Sequence, residues 1–285
     1  MSIKPWQADS LLVLTAISWG VTFLLVQEAV RDVPVATFLL WRFGLAFGLM
    51  LPIVYRHLAR LDRATLTAAG VLGLLNFTAY ALQTYGLTLT LSTSVAFITG
   101  LFVVLVPMMA FFLFRRPVAR SVWIGSGVAL SGLWFLTMQG ELHAGWGEVL
   151  SLGCALFFAL HILYTDHFAR RFDVPLLVTF QFGTMAMGSA GMALITGQPL
   201  LPPVFSTAFL IGLVTTVLFA TIFAFWVQTS MQRYTTPSRA ALIFTLEPLS
   251  AALFGYAYGG EMMGWLQVMG GGMIIVGVLV AELGG

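Results

Sequence analysis

Residues 92–117, STSVAFITGLFVVLVPMMAFFLFRRP, form a nearly continuous apolar run, and residues 236–261, TPSRAALIFTLEPLSAALFGYAYGGE, repeat its character in the second half. Each run holds about 20 mainly apolar residues, which as a helix is long enough to cross a hydrocarbon layer about 30 Å thick. Each also contains a proline, Pro107 or Pro248, whose ring and missing N–H weaken a helix. Matched weak points in two membrane spans predict a pair of hinges in a transporter, with the substrate site near them.

The composition of the whole chain supports a membrane protein. Hydrophobic residues make up 59% of the sequence and charged residues only 8%, whereas soluble domains carry about 25% charged residues. The net charge of +2 and the scattered basic residues give no sign of a nucleic-acid partner. The single cysteine, Cys154, excludes an intrachain disulfide, and no ligand cluster for a metal or motif for another cofactor is present.

Apolar runs separated by charged or turn-forming residues predict an all-α integral membrane protein with ten transmembrane helices. The first run is too long for a signal-peptide core, so we expect it to remain as a span. The loops are short, which places any function inside the helix bundle. The predicted spans are 10–30, 34–55, 65–88, 92–114, 121–139, 146–168, 174–195, 208–231, 236–258 and 264–283.

The basic residues predict how the chain is oriented in its membrane. Eleven of the 13 lysines and arginines fall before the first span or in the loops after the even-numbered spans. Such loops are cytoplasmic in most membrane proteins. The opposite loops contain Arg31 and mostly acidic residues, among them Glu28, Glu141 and Glu261. Both termini are therefore expected in the cytoplasm.

The two halves of the chain resemble each other. Asp-Val-Pro at 32–34 returns at 173–175, and Gln-Thr at 83–84 returns at 228–229. We expect one repeat over residues 1–144 and a second over 145–285, each with five spans. Because five is an odd number, the second repeat must enter the membrane from the opposite side, so the repeats are expected to be inverted around a central cavity.

Two polar-aromatic faces are related by this repeat. The third predicted span places its polar residues on one helix face, and the eighth repeats the pattern 145 residues later. Such faces avoid lipid, because an unsatisfied amide or hydroxyl is costly there. They indicate either a substrate cavity or hydrogen bonds between helices. The faces are Asn76, Tyr80, Gln83 and Thr84, and Thr221, Phe225, Gln228 and Thr229.

Other spans add aromatic and ionisable candidates. Trp19, between Thr15 and Thr22, lies too deep for an interface anchor, and Tyr164 shares a predicted face with Phe157 and His161. These aromatic side chains are candidates for stacking on a substrate, with core packing as the alternative.

Three ionisable residues, Arg42, His161 and Glu247, lie inside predicted spans, where charges are expensive and often functional. Glu247 is a candidate for binding a substrate ammonium or for proton coupling, with an ion pair as the alternative. Arg42 is a candidate for binding a carboxylate or for pairing with an acid, and His161 is expected to be a hydrogen-bonded core residue.

Several of these motifs resemble the drug/metabolite transporter superfamily, and within it the EamA family. They are Trp19-Gly20 in the first span, the prolines of the fourth and ninth spans, and Gly260-Glu261 after the ninth. The Arg-Arg-Pro ending at 115–117 is similar to that of the YddG-type aromatic amino acid exporters, although it replaces the Gly-Glu that often ends the fourth span of EamA proteins. The resemblance implies spans one to four and six to nine around a central cavity, with spans five and ten as outer supports.

The resemblance and the residue patterns together predict a secondary transporter that needs no ATP. We expect it to export small amphipathic metabolites, especially aromatic or apolar amino acids, across the bacterial inner membrane by alternating access. Export of other metabolites or drugs and a passive channel are the alternatives. An enzyme is disfavoured, because no zinc, nucleophile or paired-aspartate motif is present. A monomer is compatible with this architecture.

The predicted orientation can be tested by labelling single cysteines. Arg60→Cys and Glu141→Cys should react with a membrane-impermeant thiol reagent from opposite sides of the membrane, because they lie in loops of opposite charge bias. Labelling from the same side would contradict the inverted repeat.

Overall fold

The computed structural model describes residues 4–90, 92–137, 145–258 and 264–284. All regular structure in these ranges is helical. Glu141, Gly260 and Glu261, and the last residues of the predicted fifth span, lie outside the described residues. The helices are α1 Pro5–Asp32, α2 Val35–Val54, α3 Arg63–Leu89, α4 Ser92–Gly100, α5 Phe102–Phe112, α6 Arg120–Thr137, α7 Trp146–Ala169, α8 Val174–Thr196, α9 Thr207–Thr215, α10 Ala224–Met231, α11 Pro237–Phe244, α12 Leu246–Tyr258 and α13 Trp265–Leu283.

These helices confirm the expected multi-pass membrane fold. Within the described ranges, nine helical spans are long and apolar enough to cross a membrane. The 18-residue α6 supplies the tenth helical segment expected from the sequence. A helix satisfies its backbone groups internally, which a hydrocarbon layer requires.

Short polar residues fix where several spans begin. Asp62 precedes α3 and accepts a hydrogen bond from the Thr65 N–H at 2.8 Å, and Ser206 caps α9 through the Phe209 N–H. Such caps satisfy N–H groups that have no partner within the helix. Hydrogen bonds from the Thr65 side chain and backbone lower the pKa of the exposed Asp62 carboxyl.

The fourth and ninth spans are both interrupted, as their sequences suggested, but the interruptions do not fall on the prolines. The fourth span breaks at Leu101, between α4 and α5, and the ninth breaks at Thr245, between α11 and α12. Pro107 lies inside α5, whereas Pro248 lies in the first turn of α12, where its missing N–H costs little. The weak points thus lie on the N-terminal side of each proline.

The eighth span contains an irregularity that the sequence did not predict. Between α9 and α10, residues Thr216–Phe223 form a π-helix. A π-helix bonds each N–H to the carbonyl five residues earlier, holds more residues per turn than an α-helix, and occurs often at functional sites. Residues on its two sides therefore do not share the faces that an α-helical period assigns.

The helices pack as a bundle in which the two chain halves interleave. Helix α2 packs on α8, α3 packs on α7 and α8, and α1 packs on α12, α9 and α10, while α6 and α13 pack mainly on each other. Phenylalanines from several spans fill the apolar interior near the α2–α8 contact, among them Phe38, Phe43, Phe182 and Phe209.

One end of the bundle, which we call the basic end, is joined by an ion-pair network around Asp166. This carboxylate is 1% exposed. It accepts hydrogen bonds from Arg116 Nη1 at 2.5 Å and from Arg170 Nε and Nη2 at 3.0 and 2.9 Å. Arg170 Nη2 also donates to the Thr235 carbonyl at 3.0 Å. The network thereby links the end of the fourth span, the end of α7 and the loop before α11.

Arg115 has an unusual backbone conformation beside this network. Its φ angle is +52°, and it is the only non-glycine residue with positive φ among those described. The neighbouring Arg116 N–H bonds back to the Ala110 carbonyl at 2.9 Å, as in a helix C-cap that uses a left-handed residue. This sharp end of the fourth span directs Arg116 toward Asp166.

Glycines allow α6 and α13 to touch along their backbones. A Cβ atom added to Gly125 would lie 2.5 Å from the Gly277 carbonyl oxygen, and one added to Gly132 would lie 2.6 Å from that of Gly270. The two contacts are seven residues apart on each helix and run in opposite chain directions. These glycines therefore allow close contact between the two helices.

This contact predicts opposite effects for two glycines of the same helix. Gly125→Ala should lower the melting temperature in detergent, because its Cβ would overlap a backbone oxygen, and overpacking costs about 1–3 kcal/mol. Gly127→Ala should be neutral or stabilising by about 0.5–1 kcal/mol, because no atom lies within 4 Å of its added Cβ and alanine is the better helix former. Equal melting temperatures for the two variants would show that the backbone contact is unimportant.

Candidate functional site

A cavity lies in the middle of the bundle, lined by side chains from both halves of the chain. We call it the central cavity. Spans one, two, three, six, eight and nine and the fourth-span helix α5 contribute to its wall. Seven of the nine side chains proposed from the sequence for substrate binding line it: Trp19, Asn76, Tyr80, Gln83, Thr84, Gln228 and Glu247.

The polar face of α3 lines the cavity as a unit. Asn76, Tyr80, Gln83 and Thr84 are all buried and all contribute to the wall. Because α3 is a regular helix through this region, side chains separated by three, four or seven residues stay on one side. The 3.6-residue period of an α-helix therefore predicts these cavity-lining residues from the sequence alone.

The matching face of the eighth span divides into two parts. Phe225 and Gln228 line the cavity, whereas Thr221 and Thr229 are fully buried outside its lining. Thr221 lies in the π-helical segment and Phe225 in α10, so the extra residue per turn shifts one relative to the other. Thr221 instead accepts a hydrogen bond from Arg42 Nε at 2.8 Å.

The carbonyl of Ala220 in the π-helical segment is a shared acceptor beside the cavity. Trp19 Nε1 donates to it at 3.0 Å and Arg42 Nη2 donates to it at 3.2 Å. These bonds fix the two side chains against the eighth span. The Trp19 ring also makes an edge contact with Phe244, with centroids 5.1 Å apart, and a tilted contact with Phe225 at 5.7 Å.

Aromatic rings form most of the remaining wall. Phe158 meets Tyr80 edge-on, with centroids 5.3 Å apart, and both line the cavity with Phe225 and Phe244. The sequence pattern predicts Phe157, rather than Phe158, on the same face of the sixth span as His161. His161 also lines the cavity, three residues after Phe158. Helical spacing from His161 would therefore have identified Phe158.

Glu247 reaches the cavity at the break of the ninth span. It follows Thr245, where α11 ends, and lies in the first turn of α12, a position that favours a carboxylate. Helix α1 approaches closely here, since a Cβ on Gly20 would lie 2.3 Å from the Glu247 carbonyl oxygen. The Trp19-Gly20 pair thus supplies one cavity side chain and the space for a neighbouring helix.

Two polar side chains in the cavity wall keep free acceptor atoms. Asn76 and Gln228 are at most 1% exposed, and Asn76 Oδ1 and Gln228 Oε1 accept no hydrogen bond from any described residue. A buried acceptor without a donor is costly. These oxygens are therefore unpaired acceptors within residues of the cavity wall.

Tyr164 and His161, which were predicted to share a face, have different surroundings. Tyr164 lies outside the lining of the central cavity and packs against Phe114 and Phe168, with centroids 5.7 Å away in both cases. His161 lines the cavity and is buried, with its Nε2 3.3 Å from Gln181 Oε1. The expected hydrogen bond of His161 is thus confirmed. Among the described residues no group of three or more potential ligands could hold a metal ion.

A second cavity adjoins the central cavity on the side away from the basic end. The two share Phe23, Gln83, Phe102 and Glu247, and the second extends past Gln27 and Gln267 near the end of α1 and the start of α13. Toward the basic end, apolar side chains fill the bundle, among them Leu12, Val106, Ile162, Met231 and Ile243. Toward the basic end, the central cavity is therefore closed by packed protein and by the Asp166 network.

Comparison with known proteins shows several relatives of similar length. The chain is 31% identical over 282 residues to an uncharacterized transporter of Archaeoglobus fulgidus, covering 99% of this chain and 87% of the relative. It is 25% identical to the uncharacterized transporter YyaM of Bacillus subtilis, covering 92% and 89% of the two chains. It is 27% identical over 179 residues to the uncharacterized inner membrane transporter YedA of Escherichia coli K12, covering 60% and 56%.

A solved crystal structure has the same fold, with a TM-score of 0.79 over 96% of both chains at 18% identity. The sequence pattern of the EamA-like transporter family matches this chain twice, over residues 6–138 and over residues 145–283, and so accounts for nearly all of it. The chain therefore belongs to the EamA-like transporter family.

Proposed function

We propose that this protein is a secondary transporter that exports small amphipathic metabolites, in particular aromatic or apolar amino acids, across the bacterial inner membrane. The observation that carries the proposal is the composition of the central cavity. Aromatic rings form its walls, and a few polar groups, including Asn76, Gln83, Gln228 and Glu247, converge on it. Such a cavity suits a molecule with an apolar body and a polar head.

Glu247 is the group that we assign to the substrate ammonium. The described residues place no basic nitrogen within 4.0 Å of its carboxylate. Arg42 interacts with it only at longer range, so the carboxylate can still form a contacting pair with a cationic group in the cavity. Trp19, Tyr80, Phe158 and Phe225 surround the same space and provide surfaces for an aromatic or aliphatic side chain.

The packing pattern supports two inverted repeats. Suppose that each span is exchanged with its counterpart in the other half, span one with span six, span two with span seven and so on. The contact between α3 and α7, which are spans three and six, then becomes a contact between the eighth span and α1, and this contact is also present. The exchange also converts the α3–α8 contact into that of the eighth span with α2, while α2–α8 and α6–α13 map onto themselves. A pseudo-twofold relation of this kind permits inward-facing and outward-facing states to interconvert by exchanging the conformations of the halves.

Closure at the basic end supports a carrier over a passive channel. A carrier must close one end of its cavity while the other is open, and the Asp166 network joins elements from spans four, six, eight and nine where closure is needed. With the basic end in the cytoplasm, as the positive-inside pattern predicts, this closure corresponds to an outward-facing state. The breaks at Leu101 and Thr245 are the proposed bending points, with Pro107 and Pro248 keeping each break weak.

Reconstituted protein provides the test of function. Proteoliposomes should take up labelled L-phenylalanine saturably, and unlabelled L-phenylalanine on the opposite side should accelerate the exchange. Gln228→Leu, which keeps the side-chain volume, should reduce uptake about tenfold, because one hydrogen bond to the substrate is worth about 1–1.5 kcal/mol.

Thr78→Val is the matched control for this substitution. Thr78 bonds only its own helix, at the Leu74 carbonyl, and lies outside the cavity lining, so uptake should be unchanged. Both variants should melt like the parent. If uptake falls only in proportion to the amount of folded protein, Gln228 is a structural residue and the cavity is not the substrate site.

Opening of the basic end can be measured by cysteine accessibility. In a Cys154→Ala background, Gln83→Cys should react faster from the basic side after Asp166→Asn, because the substitution removes the charge that holds Arg116 and Arg170. Asp173→Asn is the control, since it breaks the pairs with His57 and Arg60 at the same end but touches no link among spans four, six, eight and nine. Equal accessibility in the two variants would contradict a role of the Asp166 network in closing the basic end.

The same measurement addresses the bending points. Pro248→Ala supplies an N–H that can bond across the break to the Phe244 carbonyl, and Pro107→Ala supplies one that can bond the Val103 carbonyl within α5. Each should therefore stiffen its span and slow the change in Gln83→Cys accessibility when substrate is added. Unaltered rates in both variants would show that the two prolines do not act as hinges.

A further inference from the structure

Arg42 is the most deeply buried cation in the cavity wall. It is 3% exposed, although a charged side chain at this depth is expensive unless it is neutralised. Within the described part of the chain, no carboxylate lies within 4.0 Å of its guanidinium. The protein thus holds a positive charge inside the bundle without a contacting counter-charge.

Neutral groups hold this guanidinium in place. Thr221 and the Ala220 carbonyl accept from Nε and Nη2. The guanidinium carbon lies 4.8 Å from the ring centroid of Tyr80 and 5.2 Å from that of Phe43, as in cation–π contacts. These partners orient the group, and none of them carries a negative charge.

Arg42 and Glu247 line the same cavity from the second and ninth spans, with aromatic rings around them. The two groups are near enough to interact electrostatically but form no ion pair within 4.0 Å. A bound molecule with an anionic and a cationic group could therefore meet one charge at each residue, while its apolar part contacts the rings.

We propose that Arg42 is the carboxylate-binding residue of the substrate site, so that the preferred substrates are zwitterions with the carboxylate at Arg42 and the ammonium at Glu247. This inference rests on the proposed transport function and deepens it. It assigns the π-helical segment a role, because the turn containing Ala220 and Thr221 positions the guanidinium. Arg42 is thereby a specificity determinant that separates amino acids from amines with the same side chain.

Three compounds that differ only in their charged groups test the proposal on the wild-type protein. L-Phenylalanine carries both groups, 3-phenylpropionate lacks the ammonium, and phenethylamine lacks the carboxylate. In competition with labelled L-phenylalanine, phenethylamine should bind at least tenfold more weakly than L-phenylalanine. Equal competition by L-phenylalanine and phenethylamine would overturn the carboxylate site while leaving aromatic transport intact.

Two variants test which residue binds each charged group of the substrate. Arg42→Gln should raise the KM for L-phenylalanine at least tenfold and weaken competition by 3-phenylpropionate, while competition by phenethylamine stays unchanged. Glu247→Gln should have the converse effect on the two analogues. A purely structural role of Arg42 would weaken all three compounds together, and that result would overturn the proposal.

Thr221→Val provides a milder variant if Arg42→Gln fails to fold. It removes one acceptor from the guanidinium and keeps the volume of the side chain, so it should shift the same compounds in the same direction by a smaller factor. If none of the three compounds interacts with wild-type protein, the proposed function and this inference both fail. If the protein transports these compounds without preferring those that carry a carboxylate, the inference about Arg42 fails but the proposed function stands.

Discussion

In a hydrocarbon layer, a backbone carbonyl that leaves its regular helical pattern must find its donors inside the protein. The carbonyl of Ala220 meets this constraint with two donors, Trp19 Nε1 and Arg42 Nη2. The three residues come from the first, second and eighth spans, so one oxygen connects both halves of the chain at the cavity. The π-helical irregularity and the orientation of two cavity side chains therefore depend on each other.

Among the described residues, the side chains that line the central cavity form no ion pair within 4.0 Å. The charged groups at the cavity are held by aromatic faces, hydroxyls and backbone dipoles, as Arg42 is by Tyr80 and Thr221. The carboxylate networks lie instead at the end of the bundle, around Asp166 and Asp173. The contacting ion pairs thus lie at the basic end and not in the cavity wall, an arrangement that agrees with the proposed roles of these two regions.

The parts of the fold that follow helical periodicity could be predicted from the sequence. Span positions and the cavity face of α3 follow from apolar length and a 3.6-residue period, because α3 is regular throughout. The period fails at Thr216–Phe223, where no sequence feature marks the π-helix, and Thr221 is displaced from the cavity. The position of Tyr164 outside the cavity depends on how the sixth span is rotated by tertiary packing against Phe114, which one sequence does not contain.

The glycine contacts of α6 and α13 also limit how the halves can move. These helices are the last of each half, and they touch at Gly125–Gly277 and again two helical turns away at Gly132–Gly270. Two backbone contacts at fixed register resist sliding of one helix along the other, because the tightly packed backbones have no room to pass. In the proposed carrier mechanism, a motion that sheared α6 past α13 would therefore have to break both contacts.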